Sequence, residues 1–193
     1  MVQNNSDKIR KTVIISILAA ISFVLFMFPK FPLLAAFPWL DIDFSDVPAL
    51  FATIVVSPLA GLCVVLIKNV IHLAVTSTAM IGELSNFLIN GSFVFTAGLI
   101  YKYVMKKNSK MFAVAISVIG GAIMQILFAV LVNYYIMVPM YSAFVNFSEL
   151  GGAKYYIVAG VIPFNIIKDI FSTVAFFVIY RLIGKKIHKI LAK

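Results

Sequence analysis

Long apolar runs alternate with short charged or proline-bearing stretches along this chain. The pattern predicts six helices, over about 12–28, 46–57, 59–75, 82–105, 111–138 and 155–184. Most of these approach or exceed the ~20 residues a helix needs to cross a bilayer. The second is short, with Pro48 near its start, where proline is tolerated, and Pro58 and Gly61 mark a tight turn into the third. Between the first two lies "PKFPLLAAFPWLDIDFSD", stiffened by Pro29, Pro32 and Pro38. The start resembles a signal peptide, but no small-x-small site closes its apolar run, so it reads as a retained first helix. The expected fold class is all-α: a polytopic membrane protein with six transmembrane helices, residues 1–193 forming one domain.

Composition supports that class. Apolar residues make up 63% of the chain and charged residues only 12%, against about a quarter charged in soluble domains. Mean hydropathy is +1.07. The net charge of +9 is concentrated beside the apolar runs rather than spread over a basic surface, which argues against nucleic acid. Lys8, Arg10 and Lys11 precede the first helix, and Lys102, Lys106, Lys107 and Lys110 separate the fourth from the fifth. Arg181, Lys185, Lys186, Lys189 and Lys193 end the chain. Six spans put all of these on one side, which the positive-inside rule makes cytoplasmic. Both termini are then cytoplasmic, and the protein is expected to be a multi-pass plasma-membrane protein. Cys63 stands alone, so no intrachain disulfide is available. There is no G-x-x-x-x-G-K-[ST] loop to bind and hydrolyse a nucleotide.

Polar groups inside the apolar runs mark the candidate chemistry. Ionisable groups in a bilayer cost ~2.5–3.5 kcal/mol each on insertion scales, and they face a bundle interior or a wet cavity. On the sixth helix Asn165, Lys168, Asp169 and Ser172 form one polar face. On the fourth, Glu83, Asn86 and Asn90 share a face, and Asn133 lies in the outer half of the fifth. Each admits a bland reading, as a structural ion pair, a cap or an interhelical hydrogen bond. The sharper reading joins them into a pocket. Lys68 and His72, one turn apart on the third helix, carry no assigned role, and the sequence offers no metal site. Trp39 and Leu40 lie in the first loop, about 29–45, which reads either as an interfacial anchor or as a lid over an outward-facing pocket. On the first helix Ser16, Ala19 and Ala20 make a small-residue surface suited to close helix approach, within the bundle or against a second membrane protein.

Four segments carry a family resemblance: "DFSDVPALFATIVVSPLAG", "KNVIHL", "GELSNF" and, most specifically, "PFNIIKD". With them the chain resembles the riboflavin-specific S-components of energy-coupling factor (ECF) vitamin transporters, over nearly its whole length. The resemblance implies a riboflavin-binding subunit that performs no covalent chemistry. It needs no cofactor, riboflavin being the transported ligand. It implies as partners a transmembrane coupling protein (T-component) and two ATP-binding subunits, which supply ATP hydrolysis. Asn133, Asn165 and Lys168 match the family positions that hydrogen-bond the isoalloxazine edge. Glu83 and Asn86 fall in a family-like segment, and a carboxylate such as Glu83 is one expected companion for Lys168. Ser16-x-x-x-Ala20 stands near the family's A-x-x-x-A docking motif. Two rival readings are a stand-alone proton-coupled transporter of a small amphipathic solute and an S-component for another vitamin.

Overall fold

The computed structural model describes residues 2–76, 78, 80–106 and 108–191, with side chains described for 5–182 of that set. The side chains of Lys107, Lys185, Lys186, Lys189 and Lys193, part of the basic pattern above, lie outside it. Six helices form the body. They are α1 (Val2–Met27), α2 (Asp46–Val55), α3 (Pro58–His72), α4 (Ile81–Val104), α5 (Lys110–Val132) and α6 (Ile162–Leu191). Helix α5 runs on through a π turn (Asn133–Met137) and a last helical turn (Val138–Tyr141). Helix α6 is led in by one turn (Gly152–Tyr155) and a second π segment (Tyr156–Val161).

Five segments are long and apolar enough to span a membrane: Asn5–Met27, Pro58–Val75, Ile81–Val104, Lys110–Tyr141 and Gly152–Leu182. The exception is α2. Its 10 residues reach about 15 Å at 1.5 Å each, half the ~30 Å of hydrocarbon. The loop before it makes up the difference by entering the bundle. Phe37, Ile42, Asp43 and Ser45 are all buried, and β1 (Phe31–Pro32) pairs antiparallel with β2 (Asp41–Ile42) to fold the loop back on itself. Helix α2 ends at a sharp corner where Ser57 caps α3, its side chain accepting from the Ala60 N–H at 3.2 Å with Pro58 in the first turn.

Two apolar clusters hold the bundle. One gathers Leu50, Phe51, Val64, Val65, Phe93, Val94, Val114, Phe176 and Tyr180 from α2 to α6. The second lies where α4 and the lead-in to α6 begin and α5 ends, and joins Phe37 of the loop to Ile81, Val132, Met137, Phe147, Tyr156 and Val161. Close helix approach at Gly121 of α5 leaves no room for a side chain, since an added Cβ would sit 2.8 Å from the Phe93 carbonyl oxygen. Outward faces are apolar, as lipid contact requires: Ile9, Val13, Ile17, Ile21 and Val24 of α1 are all exposed.

Candidate functional site

A cavity of about 380 Å³ opens at the end of the bundle where α3 and α5 finish and α4 and α6 begin. That size lies in the usual range for small-molecule sites. Its lining mixes amides and charged groups with aromatic rings. Asn86 and Asn90 come from α4, Asn133 from the π turn after α5, and Asn165 and Lys168 from α6. Trp39 and Leu40 of the first loop, with Tyr141 and Tyr156, complete the wall. All seven candidate binding residues, Glu83 included, therefore line one space.

A π turn begins at Asn133 and re-aims the residues that follow it on the chamber's side. A π turn inserts one residue and rotates the side chains beyond it relative to a regular helix, a device common at functional sites. Asn133 opens that turn and donates from Nδ2 to the Ala129 carbonyl at 2.8 Å. Its Oδ1 accepts from the Tyr156 hydroxyl at 3.2 Å, and Tyr156, in the facing π segment, accepts from Trp39 Nε1 at 3.3 Å. The loop aromatic is thus wired to a cavity amide. Around it, Phe37 meets Tyr156 edge-on at 5.1 Å and Trp39 stacks near Tyr141 at 6.5 Å.

A buried charge network adjoins the cavity, with Lys168 and Asp43 in the cavity wall. Lys168 Nζ donates to Asp43 Oδ2 at 2.9 Å and lies 3.6 Å from Asp46 Oδ2. Lys68 Nζ reaches Asp46 Oδ1 at 3.3 Å and also donates to the Ser45 hydroxyl. That hydroxyl donates in turn to Asp43 Oδ1, which also accepts from the Ser45 N–H at 2.9 Å. Ser22 of α1 fixes the Ser45 carbonyl at 2.7 Å. Two ammonium groups face two carboxylates, so the cluster is close to neutral, the condition under which buried charge is tolerated. Burial alone would push the Asp43 carboxyl up, but the Lys168 and Lys68 charges hold it below the usual carboxylate range.

Two expectations are corrected here. Glu83 is not the companion of Lys168. It pairs with His72 Nδ1 at 2.6 Å and accepts from Thr78 at 3.1 Å. The companions of Lys168 are Asp43 and Asp46, which flank the loop's junction with α2. They read as outer-side acids in the sequence because nothing there shows that the loop turns inward. Ala19 leaves the small-residue surface, since it is buried in the first apolar cluster, while Ser16 and Ala20 remain exposed on α1. One turn apart on a helix is one face, and Ala19 shares its face with Ser22 and Phe26, both also buried.

Other site residues escape a reading of the sequence. Gln125, buried in the middle of α5, donates to Asn90 Oδ1 at 3.3 Å and to Asn165 Oδ1 at 3.5 Å. A lone glutamine in an apolar helix is the signal that could have found it. Tyr156 has no signal beyond being aromatic. Asp169 and Ser172, on the polar face of α6, are buried, and neither oxygen of Asp169 finds a hydrogen-bond donor among the described residues. Among the described residues no three His, Cys, Asp or Glu side chains come close enough to hold a metal ion.

Bundle and cavity together define a class: a helical membrane protein with a polar, solute-sized chamber closed by an inserted loop. Residues 10–180 match the family described as ECF transporter, substrate-specific component, and the chain belongs to that family. It is 37% identical over 188 residues to the riboflavin transporter RibU of Staphylococcus aureus, covering 96% of both chains. It is 36% identical to the riboflavin transporter FmnP of Bacillus subtilis, covering 90% of this chain and 91% of that one. A solved S component of a bacterial ECF transporter superposes with a TM-score of 0.77 at 35% identity, over 92% of this chain and 97% of that one.

Proposed function

We propose that this chain is the riboflavin-binding subunit of an ECF-type importer in the plasma membrane. Asn133, Asn165 and Lys168 read the polar edge of the isoalloxazine ring, with Glu83 and Asn86 on the same chamber's other wall. Trp39 and Leu40 close over the ligand from the loop. The vitamin enters from outside, and both chain termini face the cytoplasm. A T-component and two ATP-binding subunits then use ATP hydrolysis to reorient the loaded subunit, so that its chamber meets the cytoplasm. The chain itself carries out no covalent chemistry.

The observation that supports this most is convergence: three polar side chains from the ends of α5 and α6, costly anywhere in lipid, line one chamber under an aromatic lid. The names of the relatives supply the ligand. Calorimetric titration of the purified protein with a panel of vitamins is the direct test. Riboflavin should bind and thiamin, biotin and folate should not. Lys168→Ala and Asn165→Ala should each weaken riboflavin by ~1–3 kcal/mol, the cost of leaving a buried hydrogen-bonding group unpaired. Unchanged affinity in both would remove these residues from the site. Uptake into liposomes by the isolated chain, driven by a pH gradient, would replace this reading with a proton-coupled carrier.

A further inference from the structure

Backbone carbonyls can only accept hydrogen bonds, and this settles which way the chamber's amides face. Asn165 Nδ2 donates to the Val161 carbonyl at 2.8 Å, so its Oδ1 must point the other way. There it meets Gln125 Nε2 at 3.5 Å. The same Nε2 carries a second hydrogen, which goes to Asn90 Oδ1 at 3.3 Å. Asn90 Nδ2 is then turned away from Gln125 and has no partner among the described residues, although Asn90 is buried and lines the chamber. Asn133 is set in the same sense by the Ala129 carbonyl on its Nδ2 and the Tyr156 hydroxyl on its Oδ1. Gln125 itself is fully buried behind Asn90 and Asn165 and does not line the chamber.

The consequence is a row of donors on the α5–α6 side of the chamber, while the carboxylates Asp43 and Glu83 in the same lining are engaged by Lys168 and Ser45 and by His72 and Thr78. Asn133 and Asn165 each have one N–H left and Lys168 is a donor by nature, while the Asn90 Nδ2 is itself enclosed. The amide oxygens, which would otherwise compete as acceptors, are occupied from behind. We propose that Gln125 is a positioning residue: its Nε2 holds the Asn165 and Asn90 oxygens away from the chamber, and together with the Val161 carbonyl it leaves Asn165 presenting its free N–H there. The inner wall thereby becomes a donor array for a ligand edge made of hydrogen-bond acceptors. This rests on the reading of the chamber as a flavin site. The dioxopyrimidine side of that ring carries two carbonyl oxygens and two unprotonated ring nitrogens, with a single N–H donor between the carbonyls. An array of donors suits that edge, and a freely flipping amide would suit it only part of the time.

The test compares affinities across ligands in two proteins. Riboflavin is titrated into the wild-type chain and into Gln125→Met, alongside the 1-deaza, 5-deaza, 2-thio and 4-thio analogues. Each analogue removes or weakens one ring acceptor. The wild-type protein should bind at least one analogue about tenfold or more weakly than riboflavin, the penalty for a buried donor left unpaired. In Gln125→Met that ratio should fall below about threefold, because the Asn165 oxygen loses its donor and the Val161 carbonyl alone then holds that amide. A glutamine serving only to fill space would lower all affinities together and leave the ratio unchanged, which would overturn the proposal. A wild-type protein that binds the whole panel equally would overturn it as well. Failure of the wild-type protein to bind riboflavin at all would instead overturn the flavin reading itself. If Gln125→Met does not fold, the near-isosteric Gln125→Glu replaces it. A carboxyl group has no pair of donors for the two amide oxygens, so the ratio should again fall. Loss of folded protein in both variants would assign Gln125 to bundle packing and reject a role in orientation.

Discussion

Lys168 is buried and would be intolerable in an apolar helix without its two carboxylate neighbours. Removing one member of such a cluster leaves the remaining charges uncompensated, which is worse than never having had the pair. Asp43→Asn removes the 2.9 Å partner of Lys168 while leaving Asp46 at 3.6 Å. Its expected cost lies toward the lower end of the ~3–5 kcal/mol seen when buried pairs are broken. The direction of the Asp43 shift sets the pH dependence. Its carboxyl is held low in the folded protein, so the unfolded chain takes up the proton first as pH falls. The stabilisation is complete above the ordinary aspartate value of ~3.9 and disappears only as pH drops through the lower folded value. Thermal unfolding of wild type and Asp43→Asn in detergent should therefore differ by a constant amount between about pH 5 and 8. The two should converge only below about pH 4. A gap that closes near neutrality would show that Asp43 is not charged in this network.

At the scale of elements, the first loop and the α6 lead-in behave as one piece. Gly160 admits the loop closely, since a Cβ there would lie 2.8 Å from the Phe37 ring. Trp39 bonds to Tyr156, and Tyr156 to Asn133. Tyr156→Phe keeps the ring packing and deletes both hydrogen bonds. It should weaken riboflavin by ~0.5–1.5 kcal/mol, the net worth of a hydrogen bond, through the freed Asn133 amide. Trp39 is the chain's single tryptophan, so its emission reports the loop alone. Riboflavin should quench it in both proteins, with faster recovery on ligand release in Tyr156→Phe; identical affinity and kinetics would separate the loop from Asn133. Much of this element-level picture is legible in the sequence. Apolar run length places the four middle helices within a few residues, but α1 begins ten residues before the expected Thr12 and α6 runs seven beyond the expected Gly184, because polar and basic turns extend a helix without an apolar signal. The cost of polar groups in lipid marks Asn133, Asn165 and Lys168 among several candidates, and the family resemblance singles them out. The depth of the loop is not legible. Asp43 and Asp46 look like surface acids until Lys68 and Lys168, from two other helices, are brought against them. The π turns are hidden too, because local apolar periodicity does not record one inserted residue. Gln125 is easily passed over because its partners are set by packing between α4, α5 and α6.

For the whole molecule, the chamber and the small-residue strip of α1 lie on different faces, as the proposed split between ligand binding and partner docking requires. The chamber is built chiefly by α3 to α6 and the first loop, whereas α1 packs mainly on α2 and α3 and turns its other side outward. On that side Ser16 and Ala20 form a shallow strip among bulkier neighbours, since Val13, Ile17, Ile21 and Val24 are all exposed beside them. Small residues at i and i+4 let a second helix approach to backbone contact, where dispersion and packing drive association in lipid. Neither Ser16 nor Ala20 lines the chamber, so a change in the strip need not reach the ligand. Ala20→Leu projects into lipid in the isolated subunit and fills no internal space, and exposed substitutions of that kind cost within about 0.5 kcal/mol. Riboflavin affinity of the purified variant should therefore stay within about twofold of wild type. On the proposed docking through this strip, uptake of labelled riboflavin by cells that depend on this chain should fall, because the added side chain would hold a partner helix off. The matching change at Ala19, which is buried in the bundle, should instead lower stability and binding together. Normal uptake with Ala20→Leu would move the docking face elsewhere on the bundle, and loss of binding with Ala20→Leu would show that the strip is coupled to the chamber through the inner face of α1, where Ser22 holds the Ser45 carbonyl and Phe26 lines the cavity.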